Sequence, residues 1–196
     1  MIILSLILAI SSALLPNVRT PMRVEHKVNL EDKAAQALLF CRANKLNSNY
    51  CILIDMTIHA GKNRLFVYNF KKKEVVIEGM CAHGSGGGST AAKPVYSNKV
   101  GSFCTSLGKY KLGKRSYSRW GINVHYKMHG LESTNSNAFE RVVVLHSYDP
   151  VPEMETYPLP LFGVSSGCPV VANGTMKKID ALLKTGESNM LLWIYN

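Results

Sequence analysis

Short runs of β-branched and aromatic residues, each closed by a turn signal, constrain this chain more than any other feature. Residues 51–56, 64–70 and 74–78 are rich in Val, Ile, Tyr and Phe, side chains that suit a pleated, half-buried surface, and read as strands. Lys71, Lys72 and Lys73 separate the last two and read as a hairpin turn. Two later apolar runs, 142–145 and 191–195, read as buried strands, with a capped helix over about 175–184 between them. Ahead of all these, Asn29 is placed to cap a helix whose positive first turn carries Glu31 and Asp32. Leu30, Ala34, Ala37, Leu38 and Cys41 share one face of that helix, and the pattern breaks over 44–49. At 196 residues the chain can bury a core without staples, and it shows no internal repeat. The expectation is a single, mainly β domain with two peripheral helices.

Residues 2–15 differ from the rest, being almost unbroken Ile, Leu and Ala. The run is short for a membrane span. Followed by Pro16 and the polar residues 17–20, it fits the core of a secretory signal peptide better than a transmembrane helix, with retention as an uncleaved anchor as the alternative. Export to the periplasm or cell envelope is therefore expected, with membrane association through this segment if it is retained.

Five cysteines remain, and none form the Cys-x-x-Cys pairs of a zinc or redox site. In an oxidising compartment Cys41 with Cys51 and Cys81 with Cys104 could pair; isolated buried thiols are the equal alternative. The formal charge of +10 favours anionic partners without choosing among them. Because the basic residues are scattered and no aromatic platforms alternate with Arg, a nucleic-acid binder is not expected.

Cys168 is the candidate nucleophile, lying after the small, turn-prone run Val164-Ser165-Ser166-Gly167 and before Pro169. A reactive thiol needs an accessible turn whose N–H groups can hold an oxyanion, and Ser166, Gly167 and Cys168 itself can supply them. It also needs a base. His146 closes the apolar run 142–145, and an imidazole within reach would lower the thiol pKa. A Cys and a His at such a separation are by themselves a weak signal, equally met by a buried thiol and a surface imidazole. The loop His83-Gly84-Ser85-Gly86-Gly87-Gly88-Ser89 lacks the ending of a phosphate loop, so its glycines serve either close backbone approach beside a site or plain flexibility.

The wording of these segments resembles the L,D-transpeptidase catalytic-domain (YkuD-like) family. Ser165-Ser166-Gly167-Cys168 is similar to its Ser-His-Gly-Cys nucleophile motif, and Leu145-His146-Ser147 to its strand-end histidine followed by a small residue. Ser106-Leu107-Gly108-Lys109-Tyr110 resembles its earlier Thr-Pro-x-Gly-x-Phe/Tyr element. His83-Gly84-Ser85-Gly86, Tyr96-Ser97-Asn98 with Gly101-Ser102, and Gly167-Cys168-Pro169 resemble the murein L,D-transpeptidase branch. The departures are Ser166 in place of the motif histidine, and Pro169 with Val170 in place of an aliphatic residue followed by Arg or Asn. Arg141 is a candidate substitute for that substrate-anchoring Arg, against a structural ion pair.

The resemblance implies a β-sandwich-like catalytic domain over 50–196, preceded by a linker and helix over 21–49 and the signal or anchor over 1–20. It implies a cysteine acyltransferase that forms a thioester with the tetrapeptide stem of peptidoglycan and passes it to an amine, or to water as an L,D-carboxypeptidase. Ser147 would orient the His146 imidazole, and His83 and Ser165 are candidate cleft residues. No metal or organic cofactor is required. Two rivals are a catalytically silent murein-binding module and a zinc peptidase using His83, His125, His129 or His146. His125 and His129 lie four apart in what reads as a strand, on one face, yet without the carboxylates of a metal site. His26 and His59 carry no argument.

Overall fold

The structure is a computed structural model that describes residues 21–196 apart from 160, 162 and 188, with side chains described from Asn29 onward. The expected signal or anchor segment, 1–20, lies outside the described residues. Among the described residues no helix is long and apolar enough to cross a membrane.

The strands are β1 (Tyr50–Asp55), β2 (Asn63–Asn69), β3 (Glu74–Ala82), β4 (Gly108–Tyr117), β5 (Val124–Gly130), β6 (Val144–Ser147), β7 (Val170–Val171) and β8 (Leu191–Tyr195). They are hydrogen-bonded in the closed order β1-β2-β3-β7-β6-β5-β4-β8, with the parallel pair β8–β1 sealing the ring. The mainly β expectation therefore holds, and the eight strands join in one closed sheet. Closure is partial along the strands: β3 meets β7 only at Cys81 and Ala82, so its charged first half keeps one open edge.

Alternation along the strands sorts the side chains into three clusters, of which the smallest gathers Met80, Ala82 and Val170 with Val151 beside Cys168. Ile52, Ile54, Leu65, Val67, Tyr126 and Met128 point inward and pack with Met176, Ile179 and Leu183 of helix α2 (Asn173–Lys184), which closes the barrel interior. Cys51, Leu53, Phe66 and Tyr68 point outward beneath helix α1 (Pro21–Ala43), where they meet Leu30, Ala34, Ala37 and Cys41. Strand β1 is thus buried on both faces, which explains why it reads as a continuous apolar run. Each large side chain so buried contributes about 2 kcal/mol of transfer free energy.

Two departures from the sequence reading are physical, and one alternative it left open is decided. Helix α1 runs through Asn29 from Pro21, so Asn29 is an interior residue and not a cap. Strand β4 carries Lys109, Lys111, Lys114 and Arg115 with Gly108 and Gly113; its inward residues Tyr110 and Leu112 are fully buried, but too few apolar residues alternate to announce a strand. All five cysteines are free, and Cys41, Cys51, Cys81 and Cys104 are buried thiols.

Candidate active site

The parallel pairing of β6 with β7 builds the site. His146 stands opposite Val170, which brings the preceding turn, with Cys168, alongside β6. The Val144 N–H donates to Cys168 Sγ at 3.5 Å, and the thiol points to the Val142 carbonyl at 3.9 Å. Cys168 and His146 line one cleft of about 480 Å³, together with Ser165, Ser166, Trp120 and Tyr148.

The imidazole is oriented by its neighbour. His146 Nδ1 lies 3.0 Å from the Ser147 carbonyl; a carbonyl only accepts, so the proton belongs on Nδ1 and Nε2 is left as the base. Ser147 therefore acts through its backbone, while its buried hydroxyl accepts from the Ile122 N–H at 3.0 Å. Burial holds the His146 pKa below its ordinary value; the Ser147 hydrogen bond opposes the shift, and His125, its register partner on β5, adds to it. Burial likewise pushes the Cys168 thiol up, against smaller pulls from the Val144 N–H and Arg141. The imidazole acidification expected from sequence is not among these influences, the thiol's polar contacts being strand backbone.

The turn is rigid. Ser165 Oγ donates to the Cys168 carbonyl at 2.6 Å and accepts from the Gly167 N–H at 3.1 Å. That bond occupies one of the three expected oxyanion donors and leaves the Ser166 and Cys168 N–H groups. Gly167 has φ +117°, and a Cβ there would stand 2.7 Å from the Cys104 carbonyl and 3.0 Å from Arg141 Nη2, so only glycine fits.

Arg141 supports this wall from behind. Its Nη1 donates to the Ser97 carbonyl at 2.9 Å and Ser106 Oγ at 3.0 Å, and Nη2 donates to the Cys104 carbonyl. With these three bonds Arg141 is a clamp on the loop before β4. The same Ser106 Oγ shares a 2.7 Å hydrogen bond with Tyr110 Oη, which gives the Ser106–Tyr110 element a structural role.

His83 does not reach the cleft either. It is 1% exposed, with Nδ1 2.7 Å from Arg64 Nη2; burial and the guanidinium lower its pKa to about 4. It stays neutral and accepts from Arg64, itself fully buried and donating to the Cys81 carbonyl at 2.7 Å. The glycine loop does come to the site. A Cβ on Gly84 would strike the Phe103 carbonyl and one on Gly86 the Ser102 carbonyl, so close approach accounts for these two glycines, and the Ser85 N–H donates to the Ser165 carbonyl at 3.0 Å. His125 and His129 share the outer face of β5 as expected, but among the described residues no three His, Cys, Asp or Glu side chains converge on a point that could hold a metal ion. Sequence reasoning missed Trp120 and Tyr148, which meet edge to face at 5.2 Å. A tryptophan in the turn before β5, 45% exposed, is the signal that would have found them.

The chain matches the family described as the L,D-transpeptidase catalytic domain over residues 24–195. It belongs to that family. Membership supports a peptidoglycan-modifying role for this L,D-transpeptidase-family domain. No curated protein sequence matches the chain. Similar solved structures include Bd1075 of Bdellovibrio bacteriovorus, with 20% identity, a TM-score of 0.46, and coverage of 78% of this chain and 49% of that one. The helical cell shape determining protein Pgp2 of Campylobacter jejuni is 15% identical, with a TM-score of 0.48 and coverage of 75% and 47%. An L,D-transpeptidase from Xylanimonas cellulosilytica is 14% identical, with a TM-score of 0.41 and coverage of 75% and 60%. The chain thus spans about half to three-fifths of the length of these structures.

Proposed function

We propose that this domain is an L,D-transpeptidase that acylates Cys168 with the tetrapeptide stem of peptidoglycan and transfers the acyl group to an amine. The observation that carries the reading is the shared cleft of Cys168 and His146, with Nδ1 held by the Ser147 carbonyl. In the acylation step His146 Nε2 takes the thiol proton as Sγ attacks the carbonyl preceding the terminal D-residue. The Ser166 and Cys168 N–H groups hold the oxyanion. The imidazolium then protonates the departing amine, the C–N bond breaks, and a thioester remains. An acceptor amine reverses the sequence, giving its proton to His146 and releasing Cys168 as a thiol. Because both groups are neutral at rest, the proton moves during attack and no standing thiolate is needed. Such a substrate places the protein in the cell envelope, with the 1–20 segment as its export signal or anchor.

Mass spectrometry of tetrapeptide muropeptides incubated with the native chain and with Cys168→Ala tests this. New cross-links with the native protein alone support the transpeptidase. Loss of the terminal residue without cross-links makes water the acceptor and the enzyme an L,D-carboxypeptidase. Unchanged muropeptides in both would reduce the domain to a murein-binding module, and activity lost on chelation but kept in Cys168→Ala would indicate a zinc peptidase.

A further inference from the structure

A second cleft, larger than the one at Cys168, lies on the outer face of β4 and β5. Its volume is about 630 Å³, and its walls carry Lys111, Lys114, Lys127 and His129 with Ser116 and Asn189, and among the described residues no carboxylate. A β-bulge shapes it. Leu112 pairs with Met128 and Arg115 with Tyr126, so Gly113 and Lys114 together face Lys127 alone; the extra residue re-aims the strand and turns Lys114 outward. The other cations of β4 are neutralised, Lys109 by Glu132 and Arg115 by Asp180, each at 2.7 Å. Among the described residues no carboxylate pairs with Lys111, Lys114 or Lys127. The positions of Lys127 and His129 are set by the Phe139 ring, with Lys127 Nζ 4.2 Å from its centroid and the imidazole stacked at 5.9 Å.

The two clefts share no lining residue, but strand β5 leads from one toward the other. His125 pairs with His146 across β5 and β6, and His125, Lys127 and His129 alternate on the half-buried outer face of β5. Two residues of strand advance about 7 Å, so the track runs from beside the catalytic imidazole into the basic groove within about 14 Å. Three or four residues of extended peptide cover that distance. A groove of lysines selects negative charge.

We infer that the β4–β5 groove is a second peptide subsite, which binds the carboxylates of the stem peptide whose amine attacks the Cys168 thioester. The inference rests on the acyltransferase reading for the word acceptor; the anionic peptide site itself does not. The donor's scissile carbonyl occupies the cleft at Cys168, so the groove reached along β5 is left for the second strand. Ammonium groups act as point charges here, which orients a peptide bearing several carboxylates without demanding one fixed geometry.

Two measurements test it. The first is the Kd of a synthetic L-Ala–γ-D-Glu–diaminopimelate tripeptide, and of its fully amidated analogue, for Cys168→Ala protein at low and high salt. Expected are a Kd at least tenfold weaker for the amidated probe, a similar loss in K111Q/K114Q/K127Q, retention in K111R/K114R/K127R, and weakening by salt. Equal binding of the two probes by the Cys168→Ala protein overturns the inference whether or not the glutamine variant folds, as does unaltered binding in that variant. The second is the KM of the acceptor in transfer from pre-acylated native enzyme: amidation of the acceptor should raise it at least tenfold. An amidation effect confined to the acylating peptide overturns the acceptor assignment. Failure of the native chain to form any thioester would instead refute the acyltransferase reading, while the Kd measurements still decide the groove.

Discussion

His146 on β6 stands opposite Val170 on β7, and because these strands run parallel, Cys168, two residues earlier, takes the Val144 N–H. The proposed nucleophile and its proposed base are thus placed by one backbone register. His146→Gln should keep the fold and lower the rate of thioester formation by about 100-fold or more, the usual contribution of a general base. Intact-protein mass spectrometry after rapid mixing measures it; a rate within threefold of native would remove His146 from the chemistry.

Burial raises the Cys168 pKa and lowers that of His146, and both shifts have visible consequences. A raised thiol pKa means less thiolate at neutral pH, so iodoacetamide should label Cys168 more slowly at pH 7 than a free cysteine. The rate should climb about tenfold per pH unit as the thiol ionises. A lowered imidazole pKa means the base survives acidification, so the acid limb of the acylation profile should lie below about 6.5. A limb at pH 7 or above, or a labelling plateau at neutral pH, would contradict the neutral pair.

Arg141 ties the Ser97, Cys104 and Ser106 segment to the back of the nucleophile turn. Removing a half-buried fork leaves those acceptors without donors, so Arg141→Ala should cost about 2 kcal/mol in urea unfolding. Arg141→Lys should recover less than half, since an ammonium does not reproduce the planar geometry. Full recovery by lysine would show that only charge matters there.

Asp180 accepts from Arg115 Nε at 2.7 Å, Lys184 Nζ at 2.8 Å and Tyr126 Oη at 2.7 Å. Although burial opposes it, this ring of donors, Arg115 first, holds the carboxyl well below the usual range. A depressed folded pKa contributes stability that is complete above the unfolded value of about 3.9 and is lost as pH falls through the lower folded one. Asp180→Asn should therefore lower the thermal midpoint by about 3 °C at pH 7. It should also flatten the loss of midpoint on acidification below pH 4. A variant as acid-sensitive as the native protein would show that other carboxylates dominate.

The elements legible in the sequence are those whose side chains are buried over their whole length or on a strict period. Leu191–Tyr195 forms β8 as read, and the turn at Lys71, Lys72 and Lys73 joins β2 to β3. Strand β4 is opaque because only Tyr110 and Leu112 of its residues face deep into the barrel while its lysines face a groove. Of the site, Cys168 and His146 can be picked out by motif wording, and Ser147 as the residue that orients the imidazole.

Sequence by itself determined the β content, the helix over the second half of α1, and the two side chains proposed to react, because local period, turn chemistry and motif wording need no knowledge of the partner strand. Tertiary structure alone decided that the sheet closes, that His83 is tied to Arg64 inside the protein, that Arg141 braces a loop, and that the thiol is raised and not lowered. Those outcomes turn on desolvation and on which hydrogen-bond partners lie near in space, and both are set by residues distant in the chain.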